Sequence, residues 1–142
     1  MIVLDSDIIS LLDRKSGEGF EKLVRRLNAV PDDERVCATI ISFEENMRGW
    51  LGQISAARRP ENHVIAYTRL QRLLQEYQRR DVLPYDSSAA AVVTSLQRQH
   101  IRIGTMDLRI GAIVLTHDAL LVSRNLRDFE QIPHLRVEDW TR

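Results

Sequence analysis

The sequence is short of the residues on which several common kinds of site depend. Cys37 is the only cysteine among 142 residues, which excludes an internal disulfide and a thiolate metal cluster. Only two of the twenty basic residues are lysines, Lys15 and Lys22, and both lie early in the chain. No apolar stretch is long enough to span a membrane, and residues 1–4 run straight into Asp5 without a basic segment. These absences predict a cytoplasmic protein that does not associate with a membrane.

The chain also lacks a net charge, since its 20 basic residues are matched by 20 acidic ones. A generic nucleic-acid coat protein would be basic overall, so this class is disfavoured. The hydrophobic fraction of 44% is ordinary for a globular protein and too high for a disordered one. With this length, the composition predicts one domain over residues 1–142.

Short apolar runs alternate with stretches of helical spacing along the whole chain. Strands are predicted at residues 2–4, 36–41, 82–85, 120–123 and 135–137. Helices are predicted at residues 8–12, 18–28, from 42 onward, 61–80, 87–100 and 107–119, with a break at residues 51–60. This alternation predicts an α/β fold in which a mostly parallel sheet carries helices on both faces. Ligands of such folds bind beyond the carboxyl ends of the strands.

Acidic and amide side chains follow several of these predicted strands. They are Asp5 and Asp7 after the first, Glu44 and Glu45 after the second, Asp107 at the start of a late helix, and Asn125 and Asp128 after the fourth. Clustered carboxylates repel one another unless a cation lies among them, and oxygen ligands without cysteine or histidine suit Mg²⁺ or Mn²⁺. Such an ion activates water for attack on a phosphodiester.

Each of these acids also has a purely structural interpretation. Ser42 and Glu45 have the spacing of a capping box, and Asp107 would complement the dipole of its helix. Asp5 or Asp7 would cap the first helix. Asp5 is the hardest to explain in this way, because a carboxylate directly after a buried strand needs a partner.

Five motifs, in order along nearly the whole chain, resemble those of PIN-domain proteins, especially the VapC-type toxins. Residues 2–9 (IVLDSDII), 41–49 (ISFEENMRG) and 103–112 (IGTMDLRIGA) are similar to the first three motifs of that family. Residues 121–129 (LVSRNLRDF) and 134–140 (HLRVEDW) resemble the last two. The chain departs from the pattern at Asp7, where asparagine is usual, and at Glu44, where alanine is typical.

The resemblance implies a PIN-like three-layer α/β fold and Mg²⁺- or Mn²⁺-dependent endonucleolytic cleavage of single-stranded RNA. Carried over by position, Asp5, Glu45 and Asp107 would hold the metal. Asp128 and Asn125 occupy the fourth motif, where the family places an acid or amide near the metal, and we prefer Asp128 as the acid. The class of RNA, and one metal ion against two, stay open.

The resemblance further implies a toxin–antitoxin pair, in which a cognate antitoxin peptide blocks the acidic groove, and a homodimer. Arg48, Arg109 and Arg124 are candidate phosphate contacts, with surface salt bridges as the alternative. The helix at residues 61–80 is either a solvated face or a surface for the antitoxin.

Two other interpretations compete with a nuclease. A haloacid-dehalogenase-type phosphatase matches Asp5-Ser6-Asp7 but needs a lysine well downstream, whereas both lysines of this chain lie within its first quarter. A non-catalytic PIN-like scaffold or partner-binding module would not need Asp5, Glu45 and Asp107 together. Nuclease is therefore the favoured hypothesis, and metal binding is the property that separates it from a scaffold.

Overall fold

The computed structural model describes all 142 residues, and its elements alternate as the sequence predicts. The five strands are β1 (Ile2–Leu4), β2 (Val36–Thr39), β3 (Asp81–Leu83), β4 (Leu120–Val122) and β5 (Arg136–Glu138). The seven helices are α1 (Ser6–Arg14), α2 (Phe20–Asn28), α3 (Ile40–Ala56), α4 (Pro60–Gln78), α5 (Ser87–Arg98), α6 (Thr105–Thr116) and α7 (Leu126–Phe129). No helix combines the length and apolar character that a bilayer crossing requires.

The strands form one sheet in the order β3-β2-β1-β4-β5, and every neighbouring pair is parallel. The chain first builds outward from β1 to β2 and β3, and then returns to place β4 on the other side of β1. The carboxyl ends of β1 and β4 therefore flank the point where the strand order reverses, which is where open α/β sheets bind their ligands. The predicted fold class is confirmed, and the sheet is entirely parallel.

Alternating side chains of the central strands pack into two separate hydrophobic cores, one on each face of the sheet. Val3 and Leu121 pack with apolar residues of α5 and α6, whereas Ile2, Leu4 and Val122 pack with α1, α2 and the α3–α4 pair. Both faces of β1 are buried, so its short apolar run reads as continuous rather than alternating.

The predicted start of α3 is wrong. Residues 36–41 looked like one strand, but β2 ends at Thr39 and the helix begins at Ile40. The Thr39 hydroxyl oxygen accepts a hydrogen bond from the Ser42 amide at 3.0 Å and so caps the helix. A side-chain cap thus overrides the strand preference of the two β-branched isoleucines that follow it. Ser42 is consequently inside the helix, and the predicted Ser42–Glu45 capping box does not exist.

Apart from boundary shifts of one to three residues at the other elements, two further details differ from the prediction. The expected break at residues 51–60 is confined to residues 57–59, because α3 continues through Gly52 to Ala56. The short helix α7 was not predicted at all, since its four residues are too few for a periodic pattern. Phe129, fully buried at its end, fixes α7 against the core.

Candidate metal centre at the carboxyl ends of β1 and β4

Asp5 lies directly after β1 and is almost fully buried, with 4% of its surface exposed. Its Oδ1 accepts a hydrogen bond from the Ser6 amide at 2.7 Å, and its Oδ2 accepts one from the Ser123 hydroxyl at 2.7 Å. Ser123 directly follows β4, so the two strand ends are joined through this carboxylate. The pKa of Asp5 is raised to about 7, mainly by burial and also by the nearby charges of Asp7 and Glu45, although the hydrogen bonds from Ser123 and Ser6 lower it.

Glu45 reaches the same place from the second turn of α3. Its Oε1 accepts a hydrogen bond from the Ser6 hydroxyl at 3.3 Å, which links Glu45 to the residue next to Asp5. Burial raises the pKa of Glu45, and so does repulsion from Asp107. Glu44 points elsewhere and pairs with Arg48 at 2.6 Å, which supports the sequence-based choice of Glu45.

Asp107 and Asp128 lie together on the other side of this edge and are bridged by Asn125. The Asn125 side-chain amide donates to Asp107 Oδ2 at 3.0 Å and to Asp128 Oδ2 at 3.1 Å. Burial and the charge of Asp128 both raise the pKa of Asp107. A positively polarised amide between two carboxylates reduces their mutual repulsion, so Asn125 holds the two acids in place.

Asp7 lies among these acids, since its charge raises the pKa values of Asp5, Glu45 and Asp107. Its Oδ2 accepts a hydrogen bond from Nε of Arg124 at 2.9 Å, whereas its Oδ1 is buried without a hydrogen-bond partner. The structure thus brings all the predicted site residues to one edge of the sheet. The acidic cluster is defined as Asp5, Asp7, Glu45, Asp107 and Asp128.

The chemistry of the acidic cluster fits a hard divalent cation. Its donors are carboxylate oxygens, and the pKa values of Asp5, Glu45 and Asp107 are raised partly by one another, as expected where carboxylates share a site. The orphaned Oδ1 of Asp7 is a buried lone-pair donor with nothing to bind. As the side chains stand, no three acidic groups converge closely enough to hold an ion. Binding would therefore require the carboxylates to change rotamer.

Sequence reasoning missed the serines that support the cluster. Ser6 connects Asp5 with Glu45, and Ser123 connects Asp5 with the Asn125 amide, which donates to the Ser123 hydroxyl at 3.0 Å. The available signal was a small polar residue directly after a buried strand, where an unpaired hydroxyl would be costly.

The three candidate phosphate-binding arginines have different surroundings. Arg124 pairs with Asp7, and Arg48 pairs with Glu44. Arg109 has no carboxylate partner, and its Nη1 lies 3.7 Å from the Met106 sulfur.

Comparison with known proteins agrees with this architecture. No family model matches the chain. Aligned over its whole length, the chain superposes on the structure of VapBC-1 from nontypeable Haemophilus influenzae with a TM-score of 0.77, 22% identity and full coverage of both chains. The chain has the VapC fold. The DNA-bound VapBC structure from Salmonella typhimurium matches with a TM-score of 0.73 and 26% identity, covering 98% of this chain and 97% of that one.

The same likeness appears in sequence over a shorter stretch. The tRNA(fMet)-specific endonuclease VapC of Salmonella typhimurium is 36% identical over 66 residues, which is 44% of this chain and 50% of that protein. The alignment thus spans about half the length of the curated relative. The resemblance to VapC-type proteins that the five motifs indicated is confirmed.

Proposed function

We propose that this protein is a divalent-metal-dependent endoribonuclease that cleaves single-stranded RNA and acts as the toxin of a toxin–antitoxin pair. The observation that carries the proposal is that Asp5, Glu45 and Asp107 lie at one edge of the sheet near the reversal of strand order. There the charge of Glu45 raises the pKa of Asp5, and the charge of Asp107 raises the pKa of Glu45. Carboxylates whose charges raise one another's pKa values are concentrated at functional sites.

Asp5, Glu45 and Asp107 would hold the ion, which would be Mg²⁺ or Mn²⁺, with Asp128 beside it. When bound, such an ion supplies a water of lowered pKa and positive charge against the phosphodiester. Ser6 and Ser123 fix the orientation of Asp5, and Asn125 fixes Asp107 and Asp128 relative to each other. These hydrogen bonds hold the carboxylates in place before an ion or substrate arrives, so less reorganisation is needed on binding.

The relatives suggest the biological setting. The Salmonella typhimurium relative is described as specific for tRNA(fMet), so this tRNA is the first substrate to test. The two solved structures described above are VapBC complexes, which supports a cognate antitoxin as the partner of this chain, and the one from Salmonella typhimurium is bound to DNA. A homodimer is part of the same proposal, as the resemblance implies.

The test compares cleavage of labelled tRNA(fMet) and a panel of single-stranded RNAs in Mn²⁺, Mg²⁺ or EDTA. We expect wild-type cleavage to require metal and the Asp107→Asn variant to lose at least about 100-fold of the rate, because it replaces one proposed carboxylate ligand by a neutral amide. Asp33→Asn is the matched control, since Asp33 is exposed in a turn remote from the acidic cluster and forms no hydrogen bond through its side chain.

Melting temperature with and without Mn²⁺ gives an independent measurement. A shift in the wild type that is absent from Asp107→Asn would locate the ion even if the right RNA is missing from the panel. The absence of both cleavage and a metal-dependent shift in melting temperature would contradict the proposal and favour a non-catalytic scaffold.

A further inference from the structure

The side chain of Arg124 contacts the acidic cluster and also lines a nearby surface depression. Its Nε donates to Asp7 at 2.9 Å, which ties the guanidinium to the acidic cluster. Its two Nη groups form no hydrogen bond within the protein, and its side chain is 40% exposed. One edge of the guanidinium is therefore fixed, and the other edge is free to donate to a ligand.

Arg124 also lines a polar depression of about 550 Å³ that has no hydrophobic residue in its lining. Its walls include Arg124, Lys22 from α2, Glu18, and Asp139 from the segment after β5. Gly19 also lines the depression, with a φ of 80° and so close to Thr141 that any Cβ would collide. This contact fixes the backbone at one side of the depression.

Positive charge is available in this depression, whereas one of its two acids is already engaged. Lys22 takes part in none of the ion pairs of the structure. Asp139 has a side chain that is only 5% exposed, and it accepts hydrogen bonds from Thr141 and pairs with Arg142. Glu18 is the remaining acid of the wall. A phosphate entering the depression would meet the unpaired Lys22 and the free Nη groups of Arg124.

We propose that Arg124 and Lys22 form a phosphate-binding subsite that holds the RNA strand beside the acidic cluster, with Asp7 positioning Arg124. This inference rests on the proposed function, because it concerns the backbone of the same substrate. It also gives Asp7 a role: an asparagine at this position would be a neutral and weaker anchor for the guanidinium. Free Nη groups suit the paired oxygens of a phosphodiester, and a flexible lysine suits the next phosphate along the strand.

The test is the salt dependence of binding of a fluorescent single-stranded RNA, measured by anisotropy in EDTA so that metal-dependent cleavage does not occur. For single strands, each phosphate contact contributes about 0.7 to the slope of log K against log salt. We expect Arg124→Gln and Lys22→Gln each to reduce the slope by about 0.7. Arg98→Gln, an exposed arginine in the last turn of α5 without an ion pair, is the matched control and should keep the wild-type slope.

A double-mutant comparison tests the positioning role of Asp7. If Asp7 positions Arg124, the loss of affinity caused by Arg124→Gln should be smaller in an Asp7→Asn background than in the wild type. A larger loss in that background would mean that Asp7 only neutralises Arg124, and it would overturn the positioning role.

The failures of the two proposals are distinguishable. Metal-dependent cleavage by the wild type, combined with wild-type salt slopes in both Arg124→Gln and Lys22→Gln, would overturn the subsite and leave the nuclease standing. A wild-type protein that neither binds nor cleaves RNA would overturn both.

Discussion

Asp5 combines two properties that seldom occur together in a stable fold. It is buried like a core residue, and it carries a group that water would otherwise solvate. Two hydrogen bonds, from Ser6 and Ser123, compensate part of this cost, but the pKa still rises to about 7. The charged form of Asp5 therefore disfavours folding near neutral pH. Such a cost in stability is common for residues that are kept for function.

The pH dependence of stability should reveal this charge. Because the pKa of Asp5 is raised from its ordinary 3.8 to about 7, the folded state binds this proton more tightly than the unfolded state. Its contribution to stability is complete below pH 3.8 and is lost as pH rises to about 7. We expect Asp5→Asn, measured by urea denaturation in EDTA, to be more stable than the wild type at pH 8 by about 1–3 kcal/mol.

The same difference should shrink toward zero near pH 4, where both proteins are neutral at this position. The exposed Asp33→Asn should follow the wild-type profile throughout. An Asp5→Asn variant that is less stable than the wild type at pH 8 would contradict the buried, costly charge.

At the scale of single elements, the boundary between β2 and α3 is a feature that the sequence pattern does not determine. The run of residues 36–41 is β-branched and apolar, so its composition cannot show where strand becomes helix. The boundary is set by one hydroxyl, that of Thr39, which bonds the Ser42 amide. The existence of both elements was predicted correctly, but the switch depends on a tertiary arrangement in which Thr39 and Ser42 are fully buried.

Substitution of Thr39 tests which residue caps α3. We expect Thr39→Val to lower the free energy of unfolding by about 1–2 kcal/mol, because it keeps the shape but removes the acceptor of the Ser42 amide. Glu45→Gln should leave stability unchanged or raise it, since its carboxylate caps nothing and its pKa is raised in the folded state. Chemical denaturation of both variants provides the measurement, and a larger loss from Glu45→Gln would restore the capping-box interpretation.

The acidic cluster was predictable in its members but not in its arrangement. Strand ends and family-like motifs identified Asp5, Glu45, Asp107 and Asp128 in the sequence. Nothing in the sequence indicated that Asn125 bridges two of them, or that Asp7 pairs with Arg124 across the ends of β1 and β4. Those contacts depend on strand order and side-chain direction, which periodicity does not encode.

At the scale of the whole molecule, the sheet is built from strands of only three or four residues, so its stability comes from the two cores rather than from long ladders. β1 lies at the centre, and Val3 and Leu4 are buried on opposite faces. Its pairing with β4 joins residues more than 100 positions apart. This strand cannot open unless both cores open with it.

Amide hydrogen exchange should therefore show which parts of the chain open only with global unfolding and which open locally. We expect the amides of Val3 and Leu4 to exchange only through global unfolding, with a free energy equal to that from denaturant titration. Amides of residues 57–59, in the connection between α3 and α4, should exchange far faster. Exchange of β1 amides well below the global free energy would contradict a single cooperative unit spanning both faces.

The hydrogen bond between Asp5 and Ser123 has a consequence for synthesis on the ribosome. The two residues are separated by 118 positions, and Asp107, Asn125 and Asp128 also belong to the last third of the chain. The amino-terminal half emerges first, when none of these partners has been translated. A nascent chain thus carries Asp5 and Glu45 without the groups that complete their surroundings. The acidic cluster can assemble only after residue 128 has left the exit tunnel, so until then the growing chain carries an incomplete cluster.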